Sequence, residues 1–215
     1  MTVTPWYWIR HAPVRGHKGR LYGQMDLPAD CSDTAPFDAL APRLPDDALW
    51  LVTPLRRTRE TLAALAAARS RAGLKAPNKP EAIAAFAEQD FGQWTDATWD
   101  EMRARDPEAY ARFWEHPIES APPGGESFKA VIDRVAAGIE TATTLADGRS
   151  VVCVAHAGSI RAALAVALDL PLDKALATQI DNLSLTRLDH LAEGLQAGKG
   201  VWRVVEVNWL KDRGP

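Results

Sequence analysis

Val3-Thr4-Pro5-Trp6-Tyr7-Trp8-Ile9-Arg10-His11-Ala12 decides how this chain is read. The aromatic and β-branched run at 3–9 reads as a strand. It ends in Arg10-His11, so a guanidinium and an imidazole arrive at the carboxyl end of that strand. Open α/β sheets build their sites at this edge. An imidazole beside a fixed guanidinium suits attack on a phosphoryl group, because the cation neutralises the phosphate oxygens while a ring nitrogen reaches phosphorus. A strand-end histidine by itself is more often a polar terminus, so the remainder of the chain has to supply its partners.

Further short apolar runs lie at 49–52, 151–155, 183–188 and 201–207. Between several of them come stretches with helical spacing. Residues 58–68 are rich in Ala and Leu. Phe128, Val131, Ile132, Val135 and Ile139 recur at i, i+3, i+4, i+7 and i+11, one apolar face of a helix. Residues 158–168 form another such run, stopped before Pro171. Alternating strands and helices predict an α/β fold, a three-layer α-β-α arrangement around a mostly parallel sheet. The last two runs, joined by a connection from Glu193-Gly194 to Gly198-Lys199-Gly200, predict a hairpin with an antiparallel strand at the sheet edge. Residues 92–125 carry Trp94, Trp99, Tyr110, Phe113 and Trp114 among several prolines. They predict one or two short helices, at about 96–105 and 107–114, forming a small cap over the sheet edge whose aromatics pack the cap itself. With no repeat or linker in view, 1–215 reads as one domain with this insertion.

The 215 residues carry 25 Lys and Arg against 28 Asp and Glu, a net charge of -3. That balance favours neither nucleic acid nor an anionic membrane as partner. No apolar run is long enough for a membrane span, and no signal-peptide pattern opens the chain, so a cytoplasmic protein is expected. The two cysteines do not make a disulfide framework. Cys153 reads as a small core residue inside a strand, and Cys31 has no evident partner. In that compartment Asn182-Leu183-Ser184, a glycosylation acceptor by pattern, carries no meaning.

Two more motifs follow strands. Thr53-Pro54-Leu55-Arg56-Arg57-Thr58-Arg59-Glu60-Thr61 comes directly after 49–52, with Thr53 as the expected helix N-cap and Pro54 at the first helical position. A helix start disfavours cations, so at least one of the three arginines is expected to be retained there for an anion, the others being solvated surface charges. Ala155-His156-Ala157-Gly158-Ser159-Ile160-Arg161 follows 151–154 in the same way. Three basic motifs thus converge on one edge, as a phosphoryl site requires. Such a site also needs a carboxyl group to protonate the leaving oxygen and later to activate water. Glu88 and Asp90, in Glu88-Gln89-Asp90-Phe91-Gly92, are the candidates, and spacing alone does not choose between them.

Taken together, these motifs resemble the histidine phosphatase superfamily, the phosphoglycerate mutase-like proteins, over roughly residues 3 to 190. Arg10-His11-Ala12 is similar to its Arg-His-Gly tripeptide. The segment 53–61 is similar to its Ser-x-Leu-x-Arg-Ala-x-x-Thr motif, and 88–92 to its Glu-x-x-Phe/Tyr-Gly segment. The segment 154–161 is similar to Val-x-His-x-Gly-x-Ile-Arg. The resemblance implies His11 as nucleophile, Glu88 as general acid and base, and Arg10, Arg57 and His156 as phosphate holders, with no metal and no cofactor. It implies a phosphomonoesterase acting on a small phosphorylated metabolite through a phosphohistidine. The alternatives are mutase-type phosphoryl transfer and a non-catalytic phospho-ligand-binding protein.

Leu21-Tyr22-Gly23-Gln24-Met25-Asp26-Leu27 resembles the α-ribazole phosphatase branch, and Pro123-Gly124-Gly125-Glu126-Ser127 a loop of the phosphatases. These make Tyr22, Gln24 and Glu126 candidate substrate contacts. The family's Thr and Asn after the tripeptide are replaced here by Pro13-Val14-Arg15-Gly16-His17, so Arg15, His17 or Lys18 is the candidate substitute contact, Arg15 first. Ala12 in place of Gly restricts φ and predicts a slightly altered loop. Either a monomer or a homodimer is compatible with these features.

Overall fold

The computed structural model describes residues 2–192 and 201–211. In chain order it begins with β1 (Val3–Arg10), β2 (Arg20–Leu21), α1 (Ala35–Leu40), β3 (Ala48–Val52) and α2 (Arg56–Arg71). There follow β4 (Glu81–Ala82), β5 (Ala97–Thr98), α3 (Trp99–Arg105), α4 (Pro107–Glu115) and α5 (Phe128–Ala146). The chain continues through β6 (Ser150–Ala155), α6 (Ala157–Leu168), α7 (Leu172–Leu176), β7 (Leu185–Leu191) and β8 (Val201–Trp209). The Gly-rich connection 193–200 lies outside the described residues.

Six strands form one sheet in the order β4-β3-β6-β1-β7-β8. The first four run parallel. β7 runs against β1 and pairs antiparallel with β8, so the expected hairpin forms the sheet edge, with β7 as its antiparallel strand. β7 begins at Leu185 rather than 183, because Leu183 takes a positive φ of 58° that breaks the extended run.

Side-chain alternation along the central strands sorts residues into the two outer layers. Trp6, Trp8, Leu49, Leu51, Val151 and Cys153 pack with the buried residues of α5 and α6. Tyr7, Ile9, Trp50, Val52, Val152 and Val154 pack with α1 and α2 on the opposite face. All five periodic positions of α5 are buried, and each such Val or Ile contributes roughly 1.5–3 kcal/mol. Under β1, Trp6 and Trp8 stack at 5.0 Å between centroids, with Phe86 edge-on to both.

The cap has a small core of its own: Trp94, Ala97, Met102 and Phe113 are buried together. Its first helix starts later than expected, at Trp99. Residues 97–98 are instead drawn into β5 against β2, and Thr98 and Glu101 form a capping box. Trp99 and Trp114 are 39% and 50% exposed and lean on each other. Trp202 and Trp209, at the far edge, lie against His190 and Arg43. No helix among the described residues is long and apolar enough to cross a membrane.

Candidate active site

The carboxyl ends of β1 and β6 are neighbours in the parallel ladder, with Arg10 in register with Ala155. The next residue on one strand is His11 and on the other His156, and their ring centroids stand 5.2 Å apart. The His11 N–H continues the ladder to the Ala155 carbonyl at 3.0 Å. Its own carbonyl accepts from Asn182 Nδ2 at 2.8 Å. Ala12 keeps a negative φ and is fully buried, its N–H donating to Thr61 Oγ1 at 2.9 Å. Alanine therefore fits the position without strain.

His11 Nδ1 lies 2.7 Å from the Ala12 carbonyl. A carbonyl only accepts, so Nδ1 carries the proton and the lone pair rests on Nε2. In His156, Nδ1 accepts from Arg57 Nε at 3.3 Å, which puts the proton on Nε2, 2.9 Å from Thr53 Oγ1. Burial foremost, then the Arg57 charge, holds the His11 imidazole well below its ordinary value; Arg10 adds to this and the Ala12 carbonyl opposes it. Burial, His11, Arg57 and Arg10 do the same to His156. Both rings are neutral near pH 7.

Arg57 is fully buried at the start of α2. Its Nη1 and Nη2 donate to the carbonyls of Met25 and Gly23 at 2.7 and 2.6 Å. Tyr22 lies beneath its charge at 5.2 Å and edge-on to His11 at 6.3 Å. Arg10 donates Nη1 to the Ile180 carbonyl, and its Nε is buried with no hydrogen-bond partner among the described residues. The expected N-cap at Thr53 is not formed. α2 starts at Arg56 and the Thr53 hydroxyl is engaged with His156 and Thr58.

A cleft of about 210 Å³ opens above these groups, walled by Arg10, Arg20, Tyr22, Glu88 and Arg161. Glu88 Oε1 accepts from the N–H groups of Gln89 and Gly158, at 2.9 and 3.1 Å, at the start of α6. A Cβ on Gly158 would stand 2.2 Å from that oxygen, so only glycine admits the carboxylate here. Asp90, the competing carboxylate, braces its own loop through the Gly92 N–H.

The structure thus brings Arg10, His11, Tyr22, Arg57, Glu88 and His156 to one place. Gln24 borders it, donating Nε2 to the Glu88 carbonyl. Arg15 and Glu126 are not part of the cleft. Arg15 is largely exposed and paired with Asp30, and Glu126 holds the Asp90 N–H and Arg134. His17 pairs with Asp96 of the cap, and Arg56 with Glu60 one turn along α2. Thr53, Asn182, Arg20 and Arg161 were not anticipated as site residues. Arg161 and Thr53 lie within the strand-end motifs that carry His156 and Arg57, whereas Asn182 stands only in a glycosylation pattern; the partners of Thr53 and Asn182 in the site are distant in the chain.

Among known proteins, the sequence model of the histidine phosphatase superfamily (branch 1) matches residues 6–203. Phosphoserine phosphatase 1 of Hydrogenobacter thermophilus is 28% identical over 190 residues, 86% of this chain and 85% of that protein. Bifunctional protein Rv2228c of Mycobacterium tuberculosis is 36% identical over 107 residues, and the match spans 50% of this chain but 29% of that longer relative. The mycobacterial glucosyl-3-phosphoglycerate phosphatase Rv2419c superposes with a TM-score of 0.76 at 26% identity, covering 96% of this chain and 99% of its own. The α-ribazole phosphatase of Shigella flexneri shares the fold at a TM-score of 0.76 and 20% identity, with 96% of each chain covered. The family match runs from within β1 to within β8, and the chain belongs to the histidine phosphatase superfamily.

Proposed function

We propose that this protein hydrolyses small phosphomonoesters through a phosphohistidine on His11. The observation that carries the reading is the fixed tautomer of His11: Nδ1–H is held by the Ala12 carbonyl, so Nε2 presents a lone pair from a neutral ring. Nε2 attacks phosphorus in line, forming the N–P bond as the bond to the ester oxygen breaks. That oxygen leaves with the proton of Glu88. A water then attacks the phosphohistidine, passes a proton to the Glu88 carboxylate, and the N–P bond breaks to release phosphate and neutral His11.

Arg57 has five N–H donors and commits three of them to His156, Met25 and Gly23. Two remain for phosphate oxygens, and the buried Nε–H of Arg10 supplies another. In this reading His156 contributes its Nε2–H by exchanging Thr53 for a phosphate oxygen. The donors are prearranged for charge that spreads over the non-bridging oxygens in a loose transition state.

The test is rapid acid quenching with a 32P-labelled phosphomonoester. An alkali-stable, acid-labile label on wild type that is missing from His11→Ala supports the proposal. Undiminished hydrolysis by His11→Ala, or phosphoglycerate isomerisation with negligible hydrolysis, overturns it.

A further inference from the structure

We propose that Arg161 docks a second anion on the substrate, a carboxylate borne by the alcohol that leaves. The inference rests on the phosphatase reading of the same cleft and adds the substrate class to it. Arg161 sits one turn beyond Gly158 on α6 and is half-buried. Its Nε donates to the Thr178 carbonyl at 2.7 Å, which fixes the plane of the guanidinium. Its Nη atoms make no hydrogen bond or ion pair to the protein among the described residues, and the side chain walls the cleft opposite no carboxylate but Glu88.

Other half-buried or buried arginines of the molecule are treated differently. Arg57 has each of its three nitrogens anchored, to two carbonyls and a ring nitrogen, and Arg134 is spent on Glu126 and three carbonyls. Arg69 is spent on carbonyls and Asp46, and Arg20, on the cleft wall, on Glu101 and the Asp96 carbonyl. Partly burying a cation is unfavourable, and Glu88 across the cleft acts on Arg161 through charge alone, without a hydrogen bond. Arg161 therefore has the form of a group whose partner enters and leaves.

Charge then selects the partner. A phosphate dianion is balanced by Arg10 and Arg57. During the first step Glu88 carries the proton, so Arg161 retains one uncompensated positive charge. A single carboxylate matches it, and the free Nη edge suits a carboxylate's two oxygens. Leu21, Phe91, Phe128, Ala157 and Leu176 supply apolar wall between the charged groups of the cleft, against which a short alkyl group packs. A short, carboxylated alkyl phosphate is the class that fits.

Binding separates this proposal from the chemistry. In the His11→Ala background, titration calorimetry compares phosphoglycolate with ethyl phosphate, which differ by the carboxylate. The expected preference for phosphoglycolate is about 30-fold, the scale of a hydrogen-bonded charged pair. Arg161→Ala should reduce that ratio to about threefold or less, and Arg161→Lys should restore part of it. The ratio is the readout, because damage to the fold weakens both ligands alike. Equal binding of the two esters, or an unchanged ratio in both Arg161 variants, overturns the proposal. Tighter binding of ethylene glycol bisphosphate than of phosphoglycolate overturns the carboxylate assignment. Failure of the hydrolytic reading would look different: no phosphohistidine on wild type, with the binding preference intact.

Discussion

The turns after β1 and β6 are built alike and used differently. Each leaves a parallel strand with a histidine, and both rings are buried and neutral. Among the described residues His11 has one nitrogen occupied and one free, whereas both nitrogens of His156 are held, by Arg57 and Thr53. Burial and neutrality are thus shared, and under the proposed function the count of satisfied nitrogens is what separates the nucleophile from the ring that holds Arg57 and lends its Nε2–H to phosphate. A nucleophile needs an unspent lone pair. A residue that orients an arginine needs the opposite.

Exchanging each ring in turn probes that difference most severely. His11→Ala should lower kcat by about 10⁴-fold, and His156→Ala by about 10²- to 10³-fold with the phosphohistidine still trapped. Quenched-flow labelling of both variants reads this, and equal losses with no label in either would dissolve the distinction. A smaller effect is expected at the carboxylate. Gly158→Ala pushes Glu88 off its backbone donors and should lower kcat by about 10²-fold on alkyl esters. The loss should be slighter on p-nitrophenyl phosphate, whose leaving group needs no proton. A plot of rate against leaving-group pKa checks it.

Removing the Thr53 hydroxyl tests the hold on His156 together with its links to Thr58 and the Leu55 N–H. Thr53→Val leaves the His156 Nε2–H without its acceptor and should cost about 1–3 kcal/mol in chemical denaturation. Acid tests both rings at once. Their folded-state pKa values lie below that of the unfolded chain, so the unfolded state binds more protons as pH falls past about 6.5. Stability is therefore fully present above that pH. It should decline by up to about 1.4 kcal/mol per pH unit per ring on descending from pH 6.5. Denaturation of wild type and His156→Asn across pH 7.5 to 5.5 measures the share of one ring, and a flat difference would count against neutral burial. The smallest effect belongs to Arg15→Ala, which should leave kcat/KM unchanged, as the side chain points to Asp30 rather than the cleft.

Much of this was readable from the chain. The strands at 3–9, 49–52 and 151–155 betray themselves because burial on both faces demands uninterrupted apolar residues. The face of α5 is equally plain, because one helix packing on one sheet imposes a period. Residue types at the site were also legible, since basic groups at several strand ends are hard to explain otherwise. What escaped was decided by contacts between distant segments. Thr53 has the composition of an N-cap, yet a histidine 103 positions away claims its hydroxyl. Asn182 passes for a glycosylation pattern until its amide is found on the His11 carbonyl. Glu126, a candidate ligand contact by resemblance, is absorbed by Arg134 on the helix it precedes.

The ladder between β1 and β6 has one last implication, for how this molecule can change. The spacing of the two rings follows from the distance between adjacent strands, roughly 4.8 Å in any sheet. The cap therefore has no part in setting it. The cap is joined to the loop below it by a two-residue ribbon and by the links from Arg20 and His17. Insertions, deletions or wholesale replacement there can redraw which molecules enter while the paired imidazoles stay in step. The sheet acts as a ruler for the two rings, and under the proposed function the choice of substrate falls to parts that can vary without disturbing it.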